Sequence, residues 1–195
     1  VGVLGVLTFQ QSRIYRDDET LYRATIERNP DDWMAHQNLG RLLSRIPARR
    51  SEEIAHYQAV LRLKPDHARA HYSLGVALFL SDRGREAIDH FDSALRLEPG
   101  NPPLVANSHY FLGVILTNTP GRLPDAIGHL EEALRLRPDD PERYNALGEA
   151  QVKEGRVAEA KANFEAALRI KPDYATASEN LRKVAGAVRQ PPSVP

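Results

Sequence analysis

Leu-Gly pairs at 39/40, 74/75, 112/113 and 147/148 of this chain are spaced in steps of 35, 38 and 35 residues. Prolines at 30, 65, 99, 138 and 172 form a second ladder, stepping 35, 34, 39 and 34 residues. Both settle on a period of 34 once two single-residue turn insertions and one four-residue insertion, Pro102 to Val105, are allowed. Two independent ladders on one period mark a chain built from repeated supersecondary units, whose apolar faces are buried by stacking.

Each period divides into two helical patterns. In the first, a Pro-Asp or Asp-Asp pair precedes apolar or small residues at helical spacing, as in Leu74, Gly75 and Leu78. The second half has Ala87, Phe91, Ala94 and Leu95 on one face. The turns DRG, TPGRLP and KEGR between the halves carry the Gly or Pro that stops one helix and permits reversal. Gly75 and Ala87 are small enough to let two helix backbones approach closely. The period is therefore a helix hairpin. Four inserted residues make about one helical turn. With Asn101 as N-cap and Pro102 in the first turn, they are expected to lengthen the third hairpin's first helix backwards.

Residues 33 to 174 resemble the tetratricopeptide repeat. Tyr144, Leu147, Gly148, Gly155, Ala160, Phe164, Ala167 and Pro172 match that family's pattern in the last repeat, and Leu74, Gly75, Ala87, Phe91, Ala94 and Pro99 in the second. The first repeat departs at Glu53 and Val60, where alanine is usual. The third keeps Leu112, Gly113, Ala126, Ala133 and Pro138 but has Leu130 for an aromatic. The resemblance implies an all-α, right-handed superhelical α-solenoid of helix-turn-helix repeats. Its divisions are an apolar end over 1–11, a leading helix over 12–32, repeats over 33–67, 68–101, 102–140 and 141–174, a closing helix over 175–188, and a disordered tail over 189–195.

The resemblance also implies a non-catalytic scaffold that binds a protein or peptide partner in the concave wall lined by each repeat's first helix. Carried over position by position, the groove residues are Met34, Gln37, Asn38, Arg41 and Arg45 in the first repeat, and Arg69, Tyr72, Ser73, Val76 and Phe79 in the second. Asn107, Tyr110, Phe111, Val114 and Asn118 follow in the third, and Glu142, Asn145, Glu149, Val152 and Lys153 in the fourth. This groove runs from basic, through aromatic, to partly acidic, and Tyr72, Phe79, Tyr110 and Phe111, if exposed together, form an interaction patch. The Lys, Asn and Arg clamp of repeats that capture chaperone tails is not supplied in either possible frame, so a chaperone-tail adaptor is not expected.

Composition removes other classes. With 26 basic and 26 acidic residues the net charge is zero, which argues against a nucleic-acid binder working by general electrostatics. Zero cysteines exclude disulfides, thiolate metal sites and a cysteine nucleophile. No phosphate loop, nucleophile elbow or dinucleotide fingerprint is present, and no cofactor is implied. His36, His71 and His109 share one repeat position and His56, His90 and His129 another, as duplication of a structural unit produces. Successive equivalents are expected about 10 Å apart, too far for one metal ion. Histidine is read as structural or solvated.

The opening VGVLGVLTF reads as the end of something hydrophobic upstream. Tyr15, Arg16, Asp17, Thr20, Leu21, Arg28, Asn29, Pro30, Trp33, Asn38, Leu39 and Gly40 are similar to the junction in membrane proteins that join a glycosyltransferase-like region to a C-terminal array of this family. That likeness implies a membrane-anchored parent, with the array in periplasm or cytoplasm recruiting an acceptor. The same residues also suit an ordinary amphipathic leading helix, and self-association through the array's ends is a further possibility.

Overall fold

The computed structural model describes residues 18–189. The expected apolar end, the start of the leading helix and the tail beyond Arg189 lie outside those residues. Among the described residues there are ten α-helices and no strand. The chain forms two compact units that divide after Leu97.

The first unit contains α1 (Asp18–Arg28), α2 (Trp33–Leu43), α3 (Arg50–Leu63), α4 (Ala68–Phe79) and α5 (Gly84–Leu97). A single 3-10 turn, Pro47–Arg49, leads into α3. Helices α2 with α3 and α4 with α5 are the two hairpins, α1 packs on α2, and α3 packs on α4. The second unit contains α6 (Pro102–Thr117), α7 (Leu123–Leu136), α8 (Pro141–Glu154), α9 (Val157–Ile170) and α10 (Ala175–Arg189). Here α6 with α7 and α8 with α9 are the hairpins, α7 and α6 both pack on α8, and α10 closes over α9 and α8.

Short polar side chains start the first helix of each hairpin. Asp32 Oδ1 accepts from the Ala35 amide at 3.0 Å, His67 Nδ1 from Ala70 at 3.1 Å, Asn101 Oδ1 from Leu104 at 3.4 Å, and Asp140 Oδ1 from Glu142 at 3.1 Å. Each satisfies an amide that has no partner inside its helix. Asn101 caps the helix that begins at Pro102, and α6 runs 16 residues against 11 for α2, so the insertion lengthens the helix backwards. The turn expectations need one correction. Gly155 (φ 84°) and Gly121 (φ 75°) take the left-handed conformation, but between α4 and α5 it falls on Asp82 (φ 58°), while Gly84 opens α5. Aspartate is among the few non-glycine residues that tolerate that region.

The core of the first unit is Leu39 and Leu43 of α2 against Tyr57 and Val60 of α3, and Leu74 and Leu78 of α4 against Phe91 of α5. The second unit repeats this with Leu112 and Leu116 against Leu130, and Leu147 against Phe164. Each Leu-Gly glycine lies under the bulky residue of its hairpin partner. A Cβ at Gly40 would stand 2.9 Å from the Tyr57 ring, at Gly75 2.9 Å from Phe91, at Gly113 2.5 Å from Leu130 and at Gly148 2.6 Å from Phe164. The close approach anticipated between Gly75 and Ala87 is thus an approach of Gly75 to the Phe91 ring.

Candidate functional site

The positions expected to line a groove lie on α2 and α4 in the first unit, with Arg45 just past α2, and on α6 and α8 in the second, with Asn118 just past α6. In the second unit they are largely bonded to one another. Arg143, only 3% exposed, donates to the Ala106 carbonyl at 2.7 Å, Asn107 Oδ1 at 2.6 Å and Asp140 Oδ2 at 2.9 Å. Its guanidinium also lies 5.3 Å from the centre of the Tyr110 ring. Lys153 donates to Asn118 Oδ1 at 2.7 Å. Asn145 donates to Glu149 Oε1, and Asn180 of α10 donates to both Asn145 Oδ1 at 3.1 Å and Glu149 Oε1 at 2.9 Å. Asn107, Asn145 and Glu149, expected to face a partner, therefore stitch α6, α8 and α10 together. The closing helix also walls a recess of about 230 Å³ with Val152, Phe164, Lys183 and Val184.

Arg143 had a sequence signal. Its repeat equivalents are Ala35, Ala70 and Ser108, all buried, so a guanidinium stands where the other hairpins have small residues.

The four aromatic candidates are only partly exposed. Tyr72, Phe79, Tyr110 and Phe111 are all half-buried. Tyr72 packs edge-on to Phe91 with ring centres 6.0 Å apart, and Tyr110 packs against the Ile127, Leu130 and Leu147 cluster and edge-on to Phe111 at 5.3 Å. Burial, with Glu142, Tyr174 and Asp140 nearby, pushes the Tyr110 hydroxyl up to about 12. Tyr72 is covered by its hairpin partner, and Tyr110 by its hairpin partner and by the next repeat. Val76 and Val114 are half-buried as well.

The first unit differs. Gln37 Oε1 is buried with no hydrogen-bond partner, and the side chains of Asn38, Arg41, Arg45 and Arg69 make no hydrogen bond or ion pair among the described residues. Asn38, Arg41 and Arg45 line a recess of about 80 Å³ with Asp18 and Tyr22, beside a larger one of about 690 Å³ bordered by Arg45, Ile46 and Thr20. Other arginines of this unit are engaged. Arg49 and Arg23 both bond Glu19 and Glu52, and their hydrogen bonds hold the Glu19 carboxyl down to about 2. Arg50 pairs with Glu53, which is 2% exposed in the place usually held by alanine, and burial pushes that carboxyl up.

Three contacts join histidines across the first three hairpins. His36 meets His56, His71 meets His90 and His109 meets His129, Nδ1 to Nδ1, at 2.9, 3.0 and 2.8 Å. The shared repeat positions were legible in the sequence; their pairing was not, because it depends on how the two helices face. Among the described residues no group of three His, Asp or Glu side chains has metal-holding geometry, and no helix is long and apolar enough to cross a membrane.

Stacked helix hairpins, each with a glycine under its partner's bulky side chain, define a helical-repeat protein of the α-solenoid class. Tetratricopeptide-repeat models match residues 54–102, 85–141 and 120–184, so the chain belongs to the tetratricopeptide repeat family. It is 34% identical over 82 residues to the tetratricopeptide repeat-containing protein trd-1 of Caenorhabditis elegans, covering 42% of this chain and 10% of that protein. YrrB, a TPR protein with an unusual peptide-binding site, superposes with a TM-score of 0.69 at 28% identity, over 86% of this chain and 83% of that one. MamA gives 0.68 at 25% identity, over 79% and 86%. PilF of Pseudomonas aeruginosa, at 0.71 and 18% identity over 95% and 81%, shares the fold. The family and fold support a protein-interaction scaffold.

Proposed function

We propose that this chain is a peptide-binding scaffold whose working surface is the inner face of the first unit, centred on Asn38, Arg41 and Arg45. One contrast carries the reading: the polar side chains at these positions in the second unit largely bond one another, whereas those on α2 and at Arg45 just beyond it have no side-chain partner among the described residues. Polar groups without protein partners can bind a ligand at little cost, because no internal bond must first be broken. Three arginines with no carboxylate partner among the described residues, Arg41, Arg45 and Arg69, favour an acidic segment, and a guanidinium fork matches a carboxylate in two-point contact. Arg69 extends the basic face onto α4, and Val76 and Phe79 supply apolar surface. The peptide-binding site of YrrB lends this reading support by analogy.

The test is a random-peptide display selection against the whole chain, repeated with the Asn38→Ala, Arg41→Ala, Arg45→Ala variant. Selected peptides should be rich in Asp and Glu, and the variant should lose their binding while keeping its helical circular dichroism. Peptides that bind the folded variant as tightly as the parent would place the working surface elsewhere.

A further inference from the structure

Six of the seven histidines stand in the three cross-hairpin pairs. The ring centres of His36 and His56 are 5.1 Å apart, those of His71 and His90 5.3 Å, and those of His109 and His129 5.1 Å. Each separation is close to the nitrogen gap plus two ring radii, so the two Nδ1 lone-pair axes run nearly head-on. This is hydrogen-bond geometry. A metal ion held tetrahedrally by both rings needs lone pairs that converge and nitrogens about 3.3 Å apart.

A bond between two imidazoles requires one proton in the gap. In the first two pairs its owner is fixed by a third group. The Pro30 carbonyl lies 3.1 Å from His36 Nε2 and the Pro65 carbonyl 2.9 Å from His71 Nε2. A carbonyl only accepts, so both Nε2 atoms carry hydrogen. In the neutral pair, His36 and His71 then present bare Nδ1 acceptors, and His56 and His90 donate from Nδ1. One extra proton still leaves a single hydrogen in the gap. A second puts N–H against N–H and one cation against another, and the bond is lost.

We propose that the three histidine pairs are an acid-released clasp, holding the two helices of each of the first three hairpins together at neutral pH and letting them part as the pairs become doubly protonated. The fourth hairpin has Tyr144 and Asn163 at these positions, with Asn163 bonded to Gln151, and lacks the device. The inference does not rest on the peptide groove.

The charged surroundings set the sign. His56 faces Glu52 on its own helix, with Nε2 to Oε1 at 3.8 Å, together with Arg23 from α1, Arg49 from the preceding turn and His36. His90 faces Asp89 and Glu86 on its own helix and His71 opposite, and Glu132 of α7 acts on His109. Burial first, then the partner imidazole, holds His56 and His90 below the ordinary 6.5, against the weaker pull of those carboxylates. The folded state therefore binds fewer protons than the unfolded chain below pH 6.5. The clasp's stabilisation is complete above that pH and is lost as pH falls. Glu52, Glu86 and Glu132 have lowered pKa values and stay ionised across this window.

The experiment is thermal unfolding of the whole chain from about pH 7.5 to 5, beside the His56→Asn, His90→Asn, His129→Asn variant, which copies the fourth hairpin's asparagine. The parent's Tm should fall by roughly 6–12 °C more than the variant's. His67, which stands outside the three pairs, is present in both chains and cancels. If the triple variant does not fold, His56→Asn and His90→Asn singly should each remove about a third of the acid sensitivity. Nitrogen-15 NMR at neutral pH should show His56 and His90 as Nδ1–H tautomers and His36 and His71 as Nε2–H. Equal pH slopes in parent and variants, or His56 and His90 found as Nε2–H, would overturn the proposal.

Discussion

Glycine to alanine normally stabilises a helix interior by about 1 kcal/mol, because glycine surrenders more backbone freedom on folding. Two glycines of this chain should answer that change with opposite signs. Gly128 is exposed on α7 with nothing within 4 Å of a built Cβ, so Gly128→Ala should raise Tm by about 2–4 °C for a chain of this size. Gly148 lies under Phe164, and the same methyl would stand 2.6 Å from Cε1 and 2.9 Å from both Cδ1 and Cζ. The ring cannot retreat freely. It is 1% exposed and is packed among Ala160, Val157, Leu181 and Val184. Overpacking a filled core costs about 1–3 kcal/mol. After the propensity gain, Gly148→Ala should lose up to about 2 kcal/mol and lower Tm by up to roughly 8 °C. Differential scanning calorimetry measures both variants directly. A double-mutant cycle assigns the cause: Phe164→Ala should cost about 1–3 kcal/mol less in the Gly148→Ala background than in the parent, the full steric cost, because the propensity gain cancels. A Gly148→Ala protein stabilised like Gly128→Ala, or a cycle with no coupling, would refute the steric account of the Leu-Gly ladder.

Arg143→Met removes a buried cation and strands the Ala106 carbonyl and Asn107, which should cost about 2–4 kcal/mol in urea unfolding. Asn180→Ala cuts both bonds from α10 to α8 and should cost about 1–2 kcal/mol, with faster amide exchange confined to the closing helix. Tyr57 and Tyr110 are both pushed by burial from 10 up to about 12, so the folded chain holds their protons longer than the unfolded one. Their stabilisation is complete below pH 10 and disappears as pH rises towards 12, and Tyr57→Phe should flatten that alkaline loss. At the acid end, Glu19 is held down to about 2 by its hydrogen bonds to Arg49 and Arg23, so its contribution is lost as pH falls from 4.5 towards 2, a slope that Glu19→Gln should reduce.

What the sequence disclosed was what depends on neighbours along the chain. The Leu-Gly and proline ladders locate the hairpins, and Asn101 followed by prolines gives the long α6, because capping and helix initiation are settled within one turn. Contacts between helices were read less well. The repeat register puts Asn145 and Glu149 on the groove side of α8, but their engagement depends on how α10 is rotated against α8, which no local pattern encodes. Tyr72 and Tyr110 were assigned to the groove side, yet neighbouring turns and the hairpin partner cover much of each ring. The histidine positions were seen as two separate series, and only the facing of first and second helices joins them into pairs.

The seating of α10 has a consequence for growth. Another hairpin stacked onto α8 and α9 would need the surface where Leu181 and Val184 rest against Phe164 and Ala160, and where Asn180 is anchored. A newcomer, whether a grafted module or the end of a second molecule, must first peel that helix away. Lengthening the protein here by design therefore calls for replacing α10, since simple addition beyond it would find its berth already taken.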